Sequence, residues 1–308
     1  MIISQKKLKV SSAIITSGLE KSFNNAKALN SIDIEVKRGE LFGLIGPDGA
    51  GKTTLIRILA TLMLPDSGSA QVLGEDVVKN YKNLRKKIGY MPGRFSLYQD
   101  LSVEENLSLF AAIHNTTIEQ NYHLIKDIYA QIEPFKHRKA GALSGGMKQK
   151  LALSCAMIHE PELLFLDEPT TGVDAVSRNE FWEMLDKLKE RNISILVSTP
   201  YMDEAELCDR VALIQKGTIL KIDTPAAIVA NFGKKIFAVK SQNKIKLLND
   251  LEQYEFASTV NAFGGFLHYT DVREDFEVSE VINYLKDNNH QEIVMKTIVP
   301  EIEDCFMA

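Results

Sequence analysis

Cysteine is scarce in this sequence, which excludes a fold held together by disulfides. The 308 residues include three cysteines, Cys155, Cys208 and Cys305. Their number is odd and their spacing is not that of a metal site, so we expect a reduced compartment and no disulfide framework. We interpret Cys155 and Cys208 as packing residues.

Blocks of one charge are also missing. Lysine and arginine number 36 against 41 aspartates and glutamates, which gives a formal net charge of -5. No run of basic residues is long enough to form an arm that neutralises phosphates along a nucleic acid. We therefore expect no nucleic acid among the partners of this protein.

Long hydrophobic runs do not occur either. The first ten residues, MIISQKKLKV, contain lysines but no apolar stretch of signal-peptide length. No segment approaches the roughly 18 uninterrupted apolar residues of a membrane-spanning helix. Any attachment to a membrane is therefore expected to come through a partner.

Short apolar runs bounded by turn residues recur along the chain. They are LFGLIG (41–46), LLFLD (163–167), ISILVST (193–199) and VALIQ (211–215). Runs of this length without alternating polar residues are typical of parallel strands buried on both faces, and helical patterns lie between them. The sequence therefore predicts an α/β core.

Two further regions depart from this pattern. Residues from about 95 to 160 are mostly helical, and we interpret them as a helical subdomain inserted in the core. After residue 232 the order becomes β-α-β-β-α-β, which is that of a small ferredoxin-like unit. We therefore predict an accessory α+β domain at 233–308.

The segment GPDGAGKT (46–53) fits G-x-x-x-x-G-K-[ST] between a predicted strand and a predicted helix. Glycines let such a loop fold into a nest of amide groups around phosphate oxygens. Lys52 adds a positive charge, Thr53 a hydroxyl for Mg²⁺ and Thr54 a further hydrogen bond. The expected phosphate-binding residues are Gly46, Pro47, Asp48, Gly49, Ala50, Gly51, Lys52, Thr53 and Thr54.

The segment LLFLDEPT (163–170) carries two adjacent carboxylates at the end of a predicted strand. Taken alone, the pair fits an acidic helix start equally well, because carboxylates favour helix N-termini. Together with the phosphate loop, the pair favours Asp167 as a Mg²⁺ ligand and Glu168 as the general base for attack on a γ-phosphate. Lys52 and Glu168 are the candidate catalytic residues.

The segment LSGGMKQK (143–150) is a glycine turn that opens a helix, with Ser144 as its cap. With these three motifs in this order, residues 12–232 resemble the ATP-binding subunit of an ABC transporter. The resemblance implies the P-loop NTPase fold, ATP as the nucleotide and a head-to-tail dimer with itself or with a second ABC ATPase chain. In that dimer, the turn formed by Ser144, Gly145 and Gly146 closes over ATP bound to the other subunit.

The same resemblance implies further residue roles, a class of transporter and partner subunits. Phe23 falls where the family stacks adenine, although a buried edge-strand aromatic is an equally good interpretation, and Asp174 falls in the family's D-loop. The segment SLYQDLSVEENL and the accessory domain look most like the drug and antibiotic export branch. Membrane-spanning transporter subunits at the cytoplasmic face of the membrane are then the expected partners.

Two positions depart from the family pattern. Gly93 stands where a glutamine is usual, and Pro200 where a histidine is usual. A proline suits the first turn of a helix, and it favours an extended Thr199 before it. Both departures remove side chains that would contact Mg²⁺, the attacking water or the γ-phosphate, and compensation by Arg94 or Gln99 stays open.

Three functions are therefore compatible with the sequence. The first is the energy-coupling ATPase of an exporter. The second is an ATP-binding clamp with slow or no turnover, which Gly93 and Pro200 favour and Glu168 opposes. The third is a soluble ABC ATPase acting on ribosomes or DNA, but such proteins usually carry tandem cassettes or a long coiled coil, and this sequence shows neither.

Overall fold

Two compact units make up the chain in the computed structural model, which describes residues 12–24 and 26–307. The first unit ends at Thr224 and the second begins at Pro225. None of the helices described within these ranges is long and apolar enough to cross a membrane.

The first unit contains both strands and helices. Its strands are β1 (Ser12–Phe23), β2 (Ala26–Ile32), β3 (Glu35–Lys37), β4 (Leu41–Ile45), β5 (Ser67–Val72), β6 (Glu75–Asp76), β7 (Ile88–Met91), β8 (Leu163–Asp167), β9 (Ser194–Thr199), β10 (Arg210–Gln215) and β11 (Thr218–Asp223). Its α-helices are α1 (Lys52–Leu59), α2 (Tyr81–Leu84), α3 (Val103–Ile113), α4 (Ile118–Tyr129), α5 (Gly145–Met157) and α6 (Ala175–Glu190).

The central sheet of this unit has six strands in the order β11-β10-β4-β9-β8-β7. The strands from β10 to β7 are parallel neighbours, and β11 is antiparallel to β10. Every residue of β4, β8 and β9 is buried, which confirms the predicted parallel sheet. The carboxyl ends of these strands meet at one edge, where open α/β sheets bind ligands.

A second, antiparallel sheet is present that the sequence pattern did not reveal. Its order is β2-β1-β5-β6, with β3 paired to β1. Side chains from this sheet, from α1 and from the central sheet share one hydrophobic core, for example Ile14, Leu55 and Phe165. The phosphate loop is therefore anchored between two sheets.

The region from 95 to 160 contains helices α3, α4 and α5, as the sequence predicts. Helix α3 begins with a capping box, in which the Ser102 hydroxyl accepts a hydrogen bond from the Glu105 amide and the Glu105 carboxylate accepts one from the Ser102 amide. Such a pair satisfies two amide groups that a helix start leaves free.

The two cysteines expected in the core, Cys155 and Cys208, are both buried. Burial raises the pKa of each thiol, so both stay in the neutral, unreactive form at physiological pH. Their role is packing.

The second unit has its own sheet and core. Its elements are α7 (Pro225–Ala230), β12 (Ile236–Lys240), α8 (Lys244–Glu252), β13 (Ala257–Phe263), β14 (Phe266–Asp271), α9 (Val278–Asp287), β15 (Val294–Ile298) and α10 (Ile302–Met307). The four strands are antiparallel in the order β13-β14-β12-β15, with α8 and α9 contributing Leu247 and Val281 to the core. This is the β-α-β-β-α-β arrangement expected from the sequence.

The boundary between the units differs from the predicted one at residue 232. The structure places it at Thr224, because α7 belongs to the second unit. There α7 contacts α10, and the Cys305 thiol donates to the Ile228 carbonyl oxygen at 3.9 Å.

Candidate functional site

The glycine-rich loop connects β4 to α1 at the carboxyl edge of the central sheet. A Cβ atom at position 46 would lie 2.1 Å from the carbonyl oxygen of Ile214, and Gly51 has a φ of 108°. Side chains at these positions would require the backbone to move. Pro47, Asp48, Gly49 and Ala50 lie in the loop, and Thr53 and Thr54 lie in the first turn of α1.

Lys52 is the buried cation of this loop. Its side chain is 2% exposed, and its ammonium group donates to the carbonyl oxygens of Gly46 (2.7 Å) and Pro47 (3.1 Å). The ammonium nitrogen also lies 3.1 Å from Glu168 Oε1. The two candidate catalytic residues therefore form an ion pair, and a phosphate in the loop would compete with Glu168 for the lysine.

Asp167 and Glu168 diverge at the end of β8. The Thr53 hydroxyl donates to Asp167 Oδ1 at 3.0 Å, while Glu168 points its carboxylate to Lys52. Glu168 has a φ of 50°, a conformation that costs energy for a residue other than glycine and is often found at functional sites. This turn gives two successive carboxylates different partners.

Ser198 also belongs to the site, although the sequence analysis did not identify it. It lies opposite Asp167 in the ladder between β8 and β9. Its hydroxyl donates to Asp167 Oδ1 at 2.8 Å and accepts from the Glu168 amide at 3.1 Å. One buried hydroxyl thus orients both acidic residues; the available signal was a hydroxyl near the carboxyl end of a predicted strand at the nucleotide edge.

Phe23 ends β1 and is 45% exposed. The Lys21 ammonium lies 5.8 Å from the centre of its ring. The alternative interpretation of Phe23 as a buried edge-strand aromatic is therefore wrong, because the ring is open to solvent. Its role in adenine stacking stays a prediction.

The turn formed by Ser144, Gly145 and Gly146 opens helix α5. Ser144 caps the helix, since its hydroxyl accepts from the Met147 amide at 3.3 Å. A Cβ atom at position 146 would lie 2.5 Å from Ser177 Oγ, so the starts of α5 and α6 are in direct contact. Asp174 caps α6 by accepting from the Ser177 amide at 3.0 Å, and this hydrogen bond lowers the pKa of its carboxyl group.

Gly93 follows β7 and lies beside the acidic pair. A Cβ atom there would lie 2.9 Å from the carbonyl oxygen of Asp167. The backbone at position 93 therefore passes so close to the end of β8 that any larger residue would require a local shift.

Pro200 follows β9 directly, but the helix after it begins later than the sequence predicts. Thr199 is extended as expected, whereas the helix after it is a short 3-10 helix that begins at Met202, with Tyr201 at its N-cap. The prediction that Pro200 occupies the first helical turn is wrong. The Tyr201 amide donates to the Thr199 hydroxyl at 3.0 Å, which closes a turn around Pro200 before the helix starts.

Comparison with known proteins agrees with this architecture. A family model described as ABC transporter matches residues 29–171. Probable multidrug ABC transporter ATP-binding protein YbhF of Escherichia coli is 45% identical over 237 residues, which is 75% of this chain and 41% of that protein. This chain thus spans less than half the length of that relative.

Other relatives match over most of their length. Nod factor export ATP-binding protein I of Burkholderia lata is 31% identical over 294 residues, covering 93% of this chain and 97% of that protein. Daunorubicin resistance ATP-binding protein DrrA3 of Streptomyces coeruleorubidus is 36% identical over 224 residues, covering 72% and 71%.

Solved structures show the same fold. The subunit cbiO1 from Clostridium perfringens, part of the ABC transporter complex cbiONQ, superimposes with a TM-score of 0.65 and 25% identity, covering 72% of this chain and 92% of that one. A dimeric ATP-binding cassette bound to ADP and Pi gives a TM-score of 0.63 at 22% identity, covering 68% and 98%. With the phosphate loop and the acidic pair in place at the sheet edge, this chain belongs to the ABC transporter family of ATP-binding proteins.

Proposed function

We propose that this protein binds and hydrolyses ATP to drive export through separate membrane-spanning subunits. One observation carries the proposal: the phosphate loop and the acidic strand end meet, with Lys52 3.1 Å from Glu168 and Thr53 3.0 Å from Asp167. The four side chains provide a cation for the phosphates, two oxygen ligands and a general base. The export names of the relatives favour this function over a non-transport ABC ATPase.

Binding of ATP exchanges the partners of Lys52. Its ammonium leaves the carbonyl oxygens of the loop and the Glu168 carboxylate, and takes oxygens of the triphosphate, which carries more negative charge than a single carboxylate. Glu168 is then free to accept a proton from the water that attacks the γ-phosphate. The ion pair thus keeps the base occupied until nucleotide arrives.

The residues at the edge of the sheet also fit Mg²⁺. Among residues 12–24 and 26–307, no cluster of three His, Cys, Asp or Glu side chains forms a metal site. Mg²⁺ needs no such cluster, since it is usually held by one or two protein oxygens, phosphate oxygens and water. Thr53 and Asp167 would hold it here, with Ser198 orienting the carboxylate, and the ion would neutralise phosphate charge.

The turn at Ser144, Gly145 and Gly146 is proposed to complete a second nucleotide site in a head-to-tail dimer. A capped helix start presents amide groups that suit phosphate oxygens. The partner is a second copy or another ABC ATPase chain. Membrane-spanning subunits would hold the dimer at the cytoplasmic face of the membrane, where drugs or antibiotics are the proposed export substrates.

A slow ATP clamp is the second candidate function. Gly93 and Pro200 adjoin the ends of β7 and β9, and neither offers a side-chain donor or acceptor to the phosphate or to water. In that case the chain binds ATP, turns it over slowly and completes the faster site of a different ABC ATPase chain.

Phosphate release from ATP by the purified chain with Mg²⁺ tests the proposal. We expect turnover above that of Lys52→Ala. Release that rises when a second ABC ATPase chain is added would favour the clamp. Equal release by the chain and by Lys52→Ala would contradict hydrolysis at this site.

A further inference from the structure

One buried carboxylate takes no part in the roles described above. Glu204 lies in the 3-10 helix Met202–Leu207 and is 1% exposed. Its Oε1 accepts hydrogen bonds from the Thr170 hydroxyl (2.7 Å) and from Arg178 Nε (2.6 Å). Its Oε2 is buried, and no residue in the described part of the chain donates to it. Such a carboxylate is costly to bury, so its two donors hold it in place.

Arg178 contacts two successive carboxylates. Besides Glu204, it donates through Nη2 to both oxygens of Asp203, at 2.8 and 2.7 Å. The Asp203 side chain is 73% exposed, whereas that of Glu204 is 1% exposed. Since exposed ion pairs contribute little, the buried pair is the stronger connection.

The three residues of this cluster come from separate segments of the nucleotide edge. Thr170 lies on the loop that leaves β8 after Glu168, Arg178 lies near the start of α6, and Glu204 follows Pro200 after β9. We call Thr170, Arg178 and Glu204 the carboxylate clasp. The clasp joins the loops after two neighbouring strands to one helix.

The clasp also reaches the glycine turn of α5. Ser177 precedes Arg178 in α6, and its hydroxyl occupies the space that a side chain at position 146 would need. A shift of α6 would therefore move the contact with Gly146. The clasp thus connects the acidic strand end with the turn proposed to face a second nucleotide.

We propose that the carboxylate clasp positions the loops after β8 and β9 for ATP hydrolysis, with Glu204 as its positioning residue. The inference rests on the proposed function above. Proline at position 200 donates no hydrogen bond to a phosphate, so the loop after β9 is held by its protein contacts, and the clasp is a buried contact of this kind.

Glu204→Gln tests the clasp with little change in shape. The amide still accepts from Thr170 but carries no charge for Arg178. We expect kcat to fall roughly tenfold to a hundredfold, as small misplacements in active sites do, while the Kd for ATP changes less than about threefold. Asp203→Asn is the matched control, because it removes an exposed carboxylate from the same arginine; its kcat should stay within about twofold of wild type.

A milder pair of variants covers the case in which Glu204→Gln does not fold. Thr170→Val removes one hydrogen bond to Glu204, and Thr170→Ser restores it. We expect kcat to fall in the first and recover in the second, measured well below the unfolding temperature of each variant, because losing one donor to a buried carboxylate also lowers stability. Wild-type kcat in Thr170→Val, or in a folded Glu204→Gln, would overturn the proposal.

Hydrogen exchange provides a readout that does not need hydrolysis. On adding ATP, we expect residues 46–54 to gain protection in wild type and Glu204→Gln alike, and residues 198–207 to gain it in wild type alone. If the wild type binds ATP but releases no phosphate, the proposed hydrolysis is contradicted. The exchange comparison then still tests whether Glu204 positions residues 198–207. Equal protection of 198–207 in both proteins would show that Glu204 does not position this segment.

Discussion

The two halves of the nucleotide edge differ in the chemistry they offer. The ends of β4 and β8 lead into Lys52, Thr53, Asp167 and Glu168, which contact one another across the edge. The ends of β7 and β9 lead into glycine and proline at positions 93 and 200. The first half supplies charged and hydroxyl side chains, whereas positions 93 and 200 supply no side-chain donor or acceptor.

The backbone does not share this difference. Strand β9 pairs in parallel register with β4 and β8 on its two sides, and it still delivers Ser198 to Asp167. The fold and the charged half of the edge can therefore persist whichever residues stand at positions 93 and 200. Binding and turnover become separable, so variants on the two halves should affect different quantities.

The largest effect on binding should come from Lys52→Ala. Removing the buried ammonium deletes a charged hydrogen bond of roughly 1.5–3 kcal/mol, which corresponds to about tenfold to a hundredfold in Kd. Titration calorimetry with ATP measures it, and Lys187→Ala, an exposed lysine in α6, is the control. Unchanged affinity for ATP in Lys52→Ala would contradict phosphate binding by this loop.

Ser198→Ala should weaken the proposed binding of Mg²⁺ by Asp167. Loss of a hydroxyl that orients a metal-binding carboxylate typically costs about tenfold to a hundredfold in metal affinity or activity. The Mg²⁺ dependence of ATP binding and of phosphate release reports it. Ser194→Ala is the matched control, because Ser194 is buried in the same strand but accepts from the Gly39 amide instead. Equal Mg²⁺ dependence in the two variants would contradict the role of Ser198.

Pro200→His would add a hydrogen-bond donor at a position of the nucleotide edge that has none. One donor to transition-state charge is worth roughly a hundredfold to a thousandfold in rate when its surroundings are arranged for it. Since the loop after β9 is closed by the Thr199 turn, we expect a smaller gain in kcat of about tenfold. Pro200→Ala separates the effect of the imidazole from that of losing the ring. Equal rates in the two variants would mean that the imidazole contributes nothing, and wild-type rates in both would mean that the proline is harmless.

Removal of the second unit should have the smallest effect. A chain ending at Thr224 keeps every residue proposed to bind phosphate or Mg²⁺, and it ends where the first unit ends. We expect its Kd for ATP to equal that of the full chain. A shortened chain that shows native circular dichroism but fails to bind ATP would show that the second unit contributes to the site.

Local chemistry made the strand-loop-helix arrangement around residues 46–54 predictable from the sequence. A glycine loop, a lysine and two hydroxyls succeed one another between Gly46 and Thr54, and their spacing alone predicts a phosphate-binding loop. The apolar runs likewise predicted the parallel strands, because full burial requires such runs.

Contacts between distant segments were not predictable. Ser198 meets Asp167 only because β8 and β9 are neighbours in a particular register, and Arg178 meets Glu204 only after α6 has packed on the sheet. A sequence pattern carries neither strand order nor register directly. The helix start after Pro200 was missed for a local reason, the Thr199 hydroxyl that closes a turn first.

The most direct test measures bound ATP and released phosphate in one sample of the isolated chain with Mg²⁺, for wild type and for Glu168→Gln. We expect equal occupancy at saturating ATP, although removal of the competing carboxylate charge should strengthen ATP binding by the variant. Phosphate release should be slower in the variant by roughly a hundredfold or more, as loss of a general base implies. Release at the wild-type rate by Glu168→Gln, with ATP bound in both, would contradict hydrolysis by the acidic pair.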